Sequence, residues 1–111
     1  MAFLGFLSGC QENSSPLIGS WVRPDGGYEL RVLAVERDGS ARVEYYNPQP
    51  VHVAEAKVGE DNGAPTLYVK LQGENYPGSN YHLKLEGDRL VGQYFQATSG
   101  QTYEIYFQRT E

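Results

Sequence analysis

Apolar and polar residues alternate with a period of two along most of the chain from Leu17 onward. No apolar stripe of period 3.6 runs long enough for a helix, so the pattern predicts β-strands. Turn-forming residue pairs interrupt the alternation at about 12-residue spacing, which is typical of an all-β meander of eight short strands. These pairs are Asp25-Gly26, Asp38-Gly39, Asn47-Pro48, Asn62-Gly63, Pro77-Gly78, Gly87-Asp88 and Ser99-Gly100.

The register of the hairpins follows from the rule that apolar residues must face apolar residues across a ladder. If each loop has two residues, the pairings of the last strands with the neighbours on both sides place the same residues on the inward face. The predicted inward pairs are Trp21–Leu30, Val32–Tyr45, Ala34–Val43, Leu83–Gly92, Tyr81–Tyr94, Tyr94–Ile105 and Gly92–Phe107. A glycine in mid-strand indicates a close approach, and we interpret Gly92 as space for the side chains of Leu83 and Phe107.

Eight antiparallel strands in sequence order can close on themselves, which removes exposed sheet edges. We therefore predict an all-β fold, an eight-stranded antiparallel up-and-down barrel, with a two-sheet roll as the alternative. If Glu55 and Lys57 face water, His52 points inward. The residues expected in the barrel interior are Trp21, Tyr45, His52, Tyr81, Tyr94 and Tyr103.

Two short motifs resemble those of the calycin barrels, the avidin-type proteins in particular. Gly19-Ser20-Trp21 is similar to their G-x-W near the first strand, and Leu90-Val91-Gly92-Gln93-Tyr94 resembles an avidin-type L-x-G-x-Y strand. The chain also resembles uncharacterised bacterial envelope proteins with "WVRPDGGY" and "YPGS" segments. By this resemblance Trp21 seals the barrel interior. Arg109 shares inward parity with Phe107, so we expect it to help close the terminal end. Avidin-type biotin recognition uses several tryptophans, whereas this chain has one.

The charge and cysteine content exclude two classes of protein. Fourteen acidic and nine basic side chains give a net charge of −5, whereas nucleic-acid binding requires a basic surface. A single cysteine can form neither an internal disulfide nor a thiolate metal cluster. We expect no cofactor, no metal and no nucleic-acid partner.

The single cysteine lies in a short motif near the start of the chain. Leu7-Ser8-Gly9-Cys10 resembles the bacterial lipobox, follows a short apolar run and precedes a polar segment. The resemblance implies lipidation at Cys10 and a location at the periplasmic face of the bacterial cell envelope. The apolar run is far shorter than the ~20 residues of a membrane span, so membrane contact is expected through the lipid only. The expected organisation is a signal-peptide remnant over 1–10, a flexible tether over 11–16 and a barrel domain over 17–111.

Templates for catalysis find no match among the remaining residues. His82 alternates outward with Lys84 and Glu86, and neither it nor His52 is paired with a nucleophile. The inward positions carry no pair of carboxylates for glycoside chemistry. We therefore do not expect an enzyme.

The two ends of the predicted meander differ in composition. Charged turns share one end with the termini, whereas the far end collects Tyr, Asn, Gln and Pro, which are typical of adaptable recognition surfaces. We expect binding of an envelope protein or glycan there, or alternatively transport of a small apolar molecule inside the barrel. The candidate binding residues are Tyr46, Asn47, Gln49, Asn75, Tyr76, Asn80 and Gln101.

Overall fold

The computed structural model describes residues 15–110, which form nine antiparallel strands and no helix. The predicted lipidation site, Cys10, lies outside the described residues. The strands are β1 (Gly19–Val22), β2 (Glu29–Val35), β3 (Ala41–Asn47), β4 (Gln49–Val51), β5 (Val53–Asp61), β6 (Ala64–Leu71), β7 (Asn80–Glu86), β8 (Arg89–Gln96) and β9 (Gln101–Arg109). They form one sheet in the order β4-β3-β2-β1-β9-β8-β7-β6-β5.

The sheet curls into a nearly closed barrel. The first and last strands of the domain, β1 and β9, pair with each other, and the remaining seam lies between β3 and β5. A bridge between Ser40 and Lys57 crosses that seam, and the Val58 N–H donates to the Gly39 carbonyl at 2.7 Å. An all-β antiparallel barrel is thus confirmed.

The prediction of eight strands is wrong because the expected fourth strand is divided at His52. Its first part, β4, pairs with β3 over three residues, and its second part, β5, pairs with β6. Pro50 lacks an N–H group and limits the ladder that β4 can form. The two halves of one predicted strand therefore pair with different neighbouring strands.

His52 is exposed, so the prediction that it faces the interior is wrong. The register of β5 shifts between Val53 and Glu55, where a β-bulge inserts one extra residue. A bulge exchanges the faces of the residues that follow it. Val53 lies opposite buried Leu71 and Ala56 is buried, whereas His52 and Ala54 point outward.

The predicted hairpin registers are confirmed in two places and wrong in two others. Trp21 lies opposite Leu30, and β7 pairs with β8 as predicted, with Leu83 opposite Gly92. A longer loop shifts the β8–β9 hairpin by two residues, and a longer loop together with a β-bulge between Val32 and Ala34 shifts the β2–β3 hairpin by two. A shift of two residues leaves the inward faces unchanged. The observed pairs there are Val32–Val43, Leu30–Tyr45, Tyr94–Tyr103 and Gly92–Ile105.

Aromatic rings occupy the middle of the barrel. The Tyr81 ring centroid lies 5.6 Å from that of Tyr45, 4.5 Å from that of Tyr94 and 5.2 Å from that of Phe107. All four side chains are buried. Ring pairs at such distances add to the free energy gained from burial of apolar area.

Trp21 and Arg109 close the end of the barrel at which the described chain enters. The buried Trp21 indole donates to the Leu17 carbonyl at 3.1 Å, and the Arg109 guanidinium lies 4.1 Å from the centre of the Trp21 ring system. Arg109 also donates to the carbonyls of Ile18 at 3.2 Å and Pro16 at 2.6 Å. The last residues of the expected tether therefore contact the barrel.

Candidate functional site

The rim opposite Trp21 and Arg109, here called the far rim, contains a pocket of about 400 Å³. Side chains from the turn after β1, from the last residues of β3 and β8 and from the loop before β7 meet there with the first half of β9. This rim pocket is lined by Arg23, Asp25, Tyr28, Asn47, Tyr76, Tyr94, Gln96, Tyr103, Glu104 and Ile105. Its volume lies within the range of small-ligand sites.

Arg23 is the buried polar residue of the pocket, with 8% of its surface exposed. Its Nε and Nη2 donate to the two carboxylate oxygens of Asp25 at 2.9 and 2.6 Å, and its Nη1 donates to the Tyr81 hydroxyl at 2.9 Å. The guanidinium also lies 4.6 Å from the ring centroid of Tyr28 and 5.6 Å from that of Tyr94. These contacts engage three of its five N–H groups.

The turn that follows β1 holds Arg23 in this position. The Arg23 N–H donates to the Tyr28 carbonyl at 2.9 Å, and the Gly27 N–H donates to the Arg23 carbonyl at 2.7 Å. Gly27 has a φ of 72°, a left-handed conformation that glycine adopts without steric cost. The backbone therefore fixes the start of the arginine side chain on the inward face, two residues after Trp21.

The Arg23–Asp25 pair is charged at neutral pH. Burial by itself would lower the pKa of Arg23, but the hydrogen bond to Asp25 and the interaction with Tyr81 outweigh it and raise that pKa. The hydrogen bond from Arg23 lowers the pKa of the Asp25 carboxyl. With Glu104, the pocket lining carries one positive and two negative charges.

Two buried tyrosines connect Arg23 to the barrel core. The hydroxyls of Tyr45 and Tyr81 lie 2.8 Å apart and share a hydrogen bond. Burial raises the pKa of both; hydrogen bonds from Tyr45 and Arg23 moderate the effect at Tyr81, whose pKa is about 12. Both hydroxyls remain neutral in the folded protein at physiological pH.

We expect the folded protein to lose stability between pH 10 and pH 12. An unfolded tyrosine ionises near pH 10, so the raised pKa of Tyr81 stabilises the fold fully below that pH, and this contribution disappears as the pH rises toward 12. The free energy of unfolding, measured with urea, should fall between pH 9 and pH 11.5 by about 2 kcal/mol less for Tyr81→Phe than for the unsubstituted chain. Tyr106→Phe, on the outer face, should lose as much as the unsubstituted chain; equal losses in all three chains would contradict this origin.

β1 is shorter than β9, and the rim pocket opens beside the part of β9 that extends beyond the end of β1. Of the described residues, β1 pairs with β9 only through Trp21–Arg109 and Val22–Gln108. The first half of β9 therefore has no strand on that side. For this reason Tyr103, although it shares a face with Ile105, is 42% exposed at the pocket wall, and the prediction that it lies in the interior is wrong.

Four of the predicted binding residues converge at the far rim. Asn47 and Tyr76 line the rim pocket, and the Asn47 amide donates a hydrogen bond to the Tyr76 hydroxyl. Both also border a neighbouring groove of about 320 Å³ that includes Gln49 and Asn75. The loop between β6 and β7 and the β3–β4 turn thus form a continuous surface with the pocket.

The other three predicted binding residues line neither depression. Tyr46 donates to Glu44 at 2.8 Å and lies 4.8 Å from the Arg31 guanidinium. Asn80 donates to the Gly78 carbonyl at 3.0 Å, and Gln101 accepts a hydrogen bond from Tyr103 at 2.8 Å. Gln101 nevertheless contacts the pocket wall through Tyr103.

Sequence reasoning did not select Arg23, Asp25 or Tyr28 as site residues. The signal for Arg23 was available, since it stands two positions after the inward Trp21 and shares its face in a strand. Arginine is seldom buried without a partner, and Asp25 stands two residues further along the chain. The turn itself was recognised, but none of its side chains was selected.

A larger depression of about 690 Å³ lies on the outer face of β5–β9, over Gly92. The exposed side chains around it, which include Lys57, His82 and Gln93, alternate outward along the strands. Unlike the rim pocket, it contains no buried charged side chain. We therefore consider the rim pocket the candidate site.

Residues 15–110 contain no group of three or more His, Cys, Asp or Glu side chains placed to hold a metal ion. The same residues include no apolar helix of membrane-spanning length.

Comparisons with protein families, with curated proteins and with solved structures found no match for this chain. What the structure defines is a class, namely a nearly closed antiparallel β-barrel with a tyrosine-lined polar pocket at one rim.

Proposed function

We propose that the protein is a non-enzymatic binding domain of the bacterial cell envelope, whose far rim contacts a protein or glycan partner. The observation that carries the proposal is the rim pocket around Arg23, where a buried cation, tyrosine rings and amide side chains meet at one exposed surface. Tyrosine and arginine are enriched at binding surfaces, and the rigid ring of tyrosine provides contact area at low entropic cost.

The filled interior favours the rim over transport of an apolar ligand inside the barrel. The rings of Tyr45, Tyr81, Tyr94 and Phe107 pack against one another at its centre. The hydroxyls of Tyr45 and Tyr81 are committed to each other and to Arg23. A ligand inside would have to displace this packed cluster.

The proposed anchor places the far rim away from the membrane. Cys10 precedes the described residues, and Pro16 lies at the opposite end of the barrel, bound to Arg109. The turns Glu36–Asp38, Glu60–Asn62 and Glu86–Arg89 are exposed, and their acidic groups would be repelled by anionic lipid headgroups. Mass spectrometry of the chain purified from membranes tests the anchor, and unmodified Cys10 would contradict it.

Substitution of an exposed rim tyrosine tests the proposed surface. We expect Tyr103→Ala to weaken retention of the partner about tenfold or more, the size of effect typical of aromatic residues central to an interface. Tyr68→Ala is the matched control, because Tyr68 is a half-buried tyrosine of the outer face that contacts His82. Co-purification from solubilised envelopes measures both; equal loss from the two variants would place binding elsewhere.

A further inference from the structure

Successive residues of β9 direct their backbone N–H groups alternately toward the two neighbouring strands, β8 and β1. The Arg109 N–H donates to the Asp88 carbonyl at 2.9 Å, beside β8, whereas the Thr110 N–H donates to the Ser20 carbonyl at 2.9 Å, beside β1. Because alternate residues of a strand direct their N–H and C=O groups to opposite sides, Thr102, Glu104 and Tyr106 present theirs on the β1 side.

The ladder on that side stops at a proline. Continuing the observed register of Val22 with Gln108 would place Pro24 opposite Tyr106. Proline has no N–H to donate, and it is tolerated where a strand ends. Within the described residues, no backbone hydrogen bond joins Thr102, Glu104 or Tyr106 to β1 or the turn after it.

The other free edges of this sheet carry features that prevent strand addition. The edge strand β4 contains Pro50 and directly follows Pro48. The free side of β5 is interrupted by its bulge and is held to the Gly39–Ser40 turn. Natural proteins protect edges by such devices. The edge of β9 from Thr102 to Tyr106 has no proline, lysine or bulge.

We propose that this open edge of β9 binds an extended peptide segment of a partner protein as an added strand, which deepens the proposed function and rests on it. The rim pocket is walled by Asp25 and Tyr28 on one side and by Tyr103 and Glu104 on the other. An added strand would use the unpaired N–H and C=O groups of Thr102, Glu104 and Tyr106 and lie beside the side chains that line this pocket. Main-chain hydrogen bonds supply the affinity in this mode of recognition.

Arg23 determines the side chain that such a strand should place in the pocket. Two of its N–H groups have no partner among the described residues. A side-chain hydroxyl, amide or carboxylate on the inward face of the peptide would accept from them and lie against the Tyr94 ring. Specificity then comes from alternate residues of the peptide, as in other cases of strand addition.

A proline substitution distinguishes strand addition at the edge of β9 from other modes of binding at the far rim. Peptides are selected from a phage-displayed library of random dodecamers on the full chain, and one is synthesised as the probe. Glu104→Pro removes the carboxylate and the edge N–H, whereas Glu104→Ala removes only the carboxylate. Because the Glu104 N–H points away from β8, both variants should fold, which thermal unfolding checks.

The expected result is that Glu104→Ala binds the peptide within about threefold of the unsubstituted chain, while Glu104→Pro binds at least about tenfold more weakly. If Glu104→Pro does not fold, slowed hydrogen exchange of the Glu104 amide on addition of the peptide to the unsubstituted chain supports the proposal, and unchanged exchange overturns it. Equal binding by the two variants, or no selected peptide, also overturns it. Binding of an N-acetylglucosamine trimer that requires Tyr103 but not the edge N–H would likewise overturn strand addition and leave the rim function standing.

Discussion

Replacement of Gly92 by alanine is expected to cost more than about 3 kcal/mol of folding free energy, among the largest effects of a single methyl group. A Cβ atom at this position would lie 1.9 Å from the His82 carbonyl oxygen and 3.0 Å from the Leu83 Cα. These are backbone atoms of β7, the strand with which β8 pairs at this point. Relief of the clash requires β7 and β8, two inner strands of the sheet, to separate.

Gly59→Ala is the matched control for this prediction. Gly59 also lies within a strand at negative φ, and the nearest atom to its added Cβ is the Thr66 hydroxyl at 3.1 Å. A hydroxyl can rotate away, so we expect a cost below about 1 kcal/mol. Urea unfolding followed by circular dichroism compares the two variants, and similar midpoints would show that β7 and β8 are not so close.

The reason for glycine at position 92 differs from the one inferred from the sequence. The alternation pattern places Leu83 and Phe107 beside it, which suggests space for large side chains, whereas the observed neighbours are Leu83 and Ile105. The observed constraint is instead the close approach of the β7 backbone. A pattern of side chains cannot show the distance between two backbones, although the glycine marks the position of this approach.

Arg23→Met is the second substitution with a large expected effect, on both stability and rim binding. It removes the donor to the buried Tyr81 hydroxyl and the cation beside the rings of Tyr28 and Tyr94. The Asp25 side chain is 56% exposed and can be hydrated after the change, so most of the loss should come from Tyr81 and the rings. We expect a loss of about 2–3 kcal/mol and no detectable binding at the rim.

Arg31→Met provides a close comparison. Arg31 also donates to a nearby carboxylate, that of Glu29 at 2.9 Å, and lies 4.8 Å from a tyrosine ring, that of Tyr46. Its side chain is 43% exposed on the outer face, and surface pairs of this kind contribute at most about 1 kcal/mol. Equal destabilisation by the two substitutions, measured by urea unfolding, would show that burial of Arg23 does not increase its contribution to the free energy of unfolding.

The sequence predicts the strand pattern well because period-two alternation determines which residues share a face. This is why Trp21, Tyr45, Tyr81 and Tyr94 lie buried, and why hairpin shifts of two residues leave that face unchanged. Loop length is less well determined. Ser99-Gly100 is compatible with a two-residue loop, but the observed β8–β9 pairing begins at Gln96 and Gln101.

The candidate site was predicted less completely, and for two physical reasons. Single-residue insertions such as the bulge near Ala54 have no signature in the alternation, so His52 was assigned to the wrong face. The exposure of Tyr103 depends on the end of β1 at a distant point of the chain. Turn composition nevertheless brought Asn47 and Tyr76 to the correct rim.

Photo-crosslinking in intact cells tests most directly whether the far rim is the binding end. A photoreactive phenylalanine analogue is placed at position 103 on the far rim, or at position 68 on the outer face of the barrel. We expect a discrete adduct of higher mass from position 103 and none from position 68. A discrete adduct from position 68 alone would contradict it and move the binding surface to the outer face of the sheet.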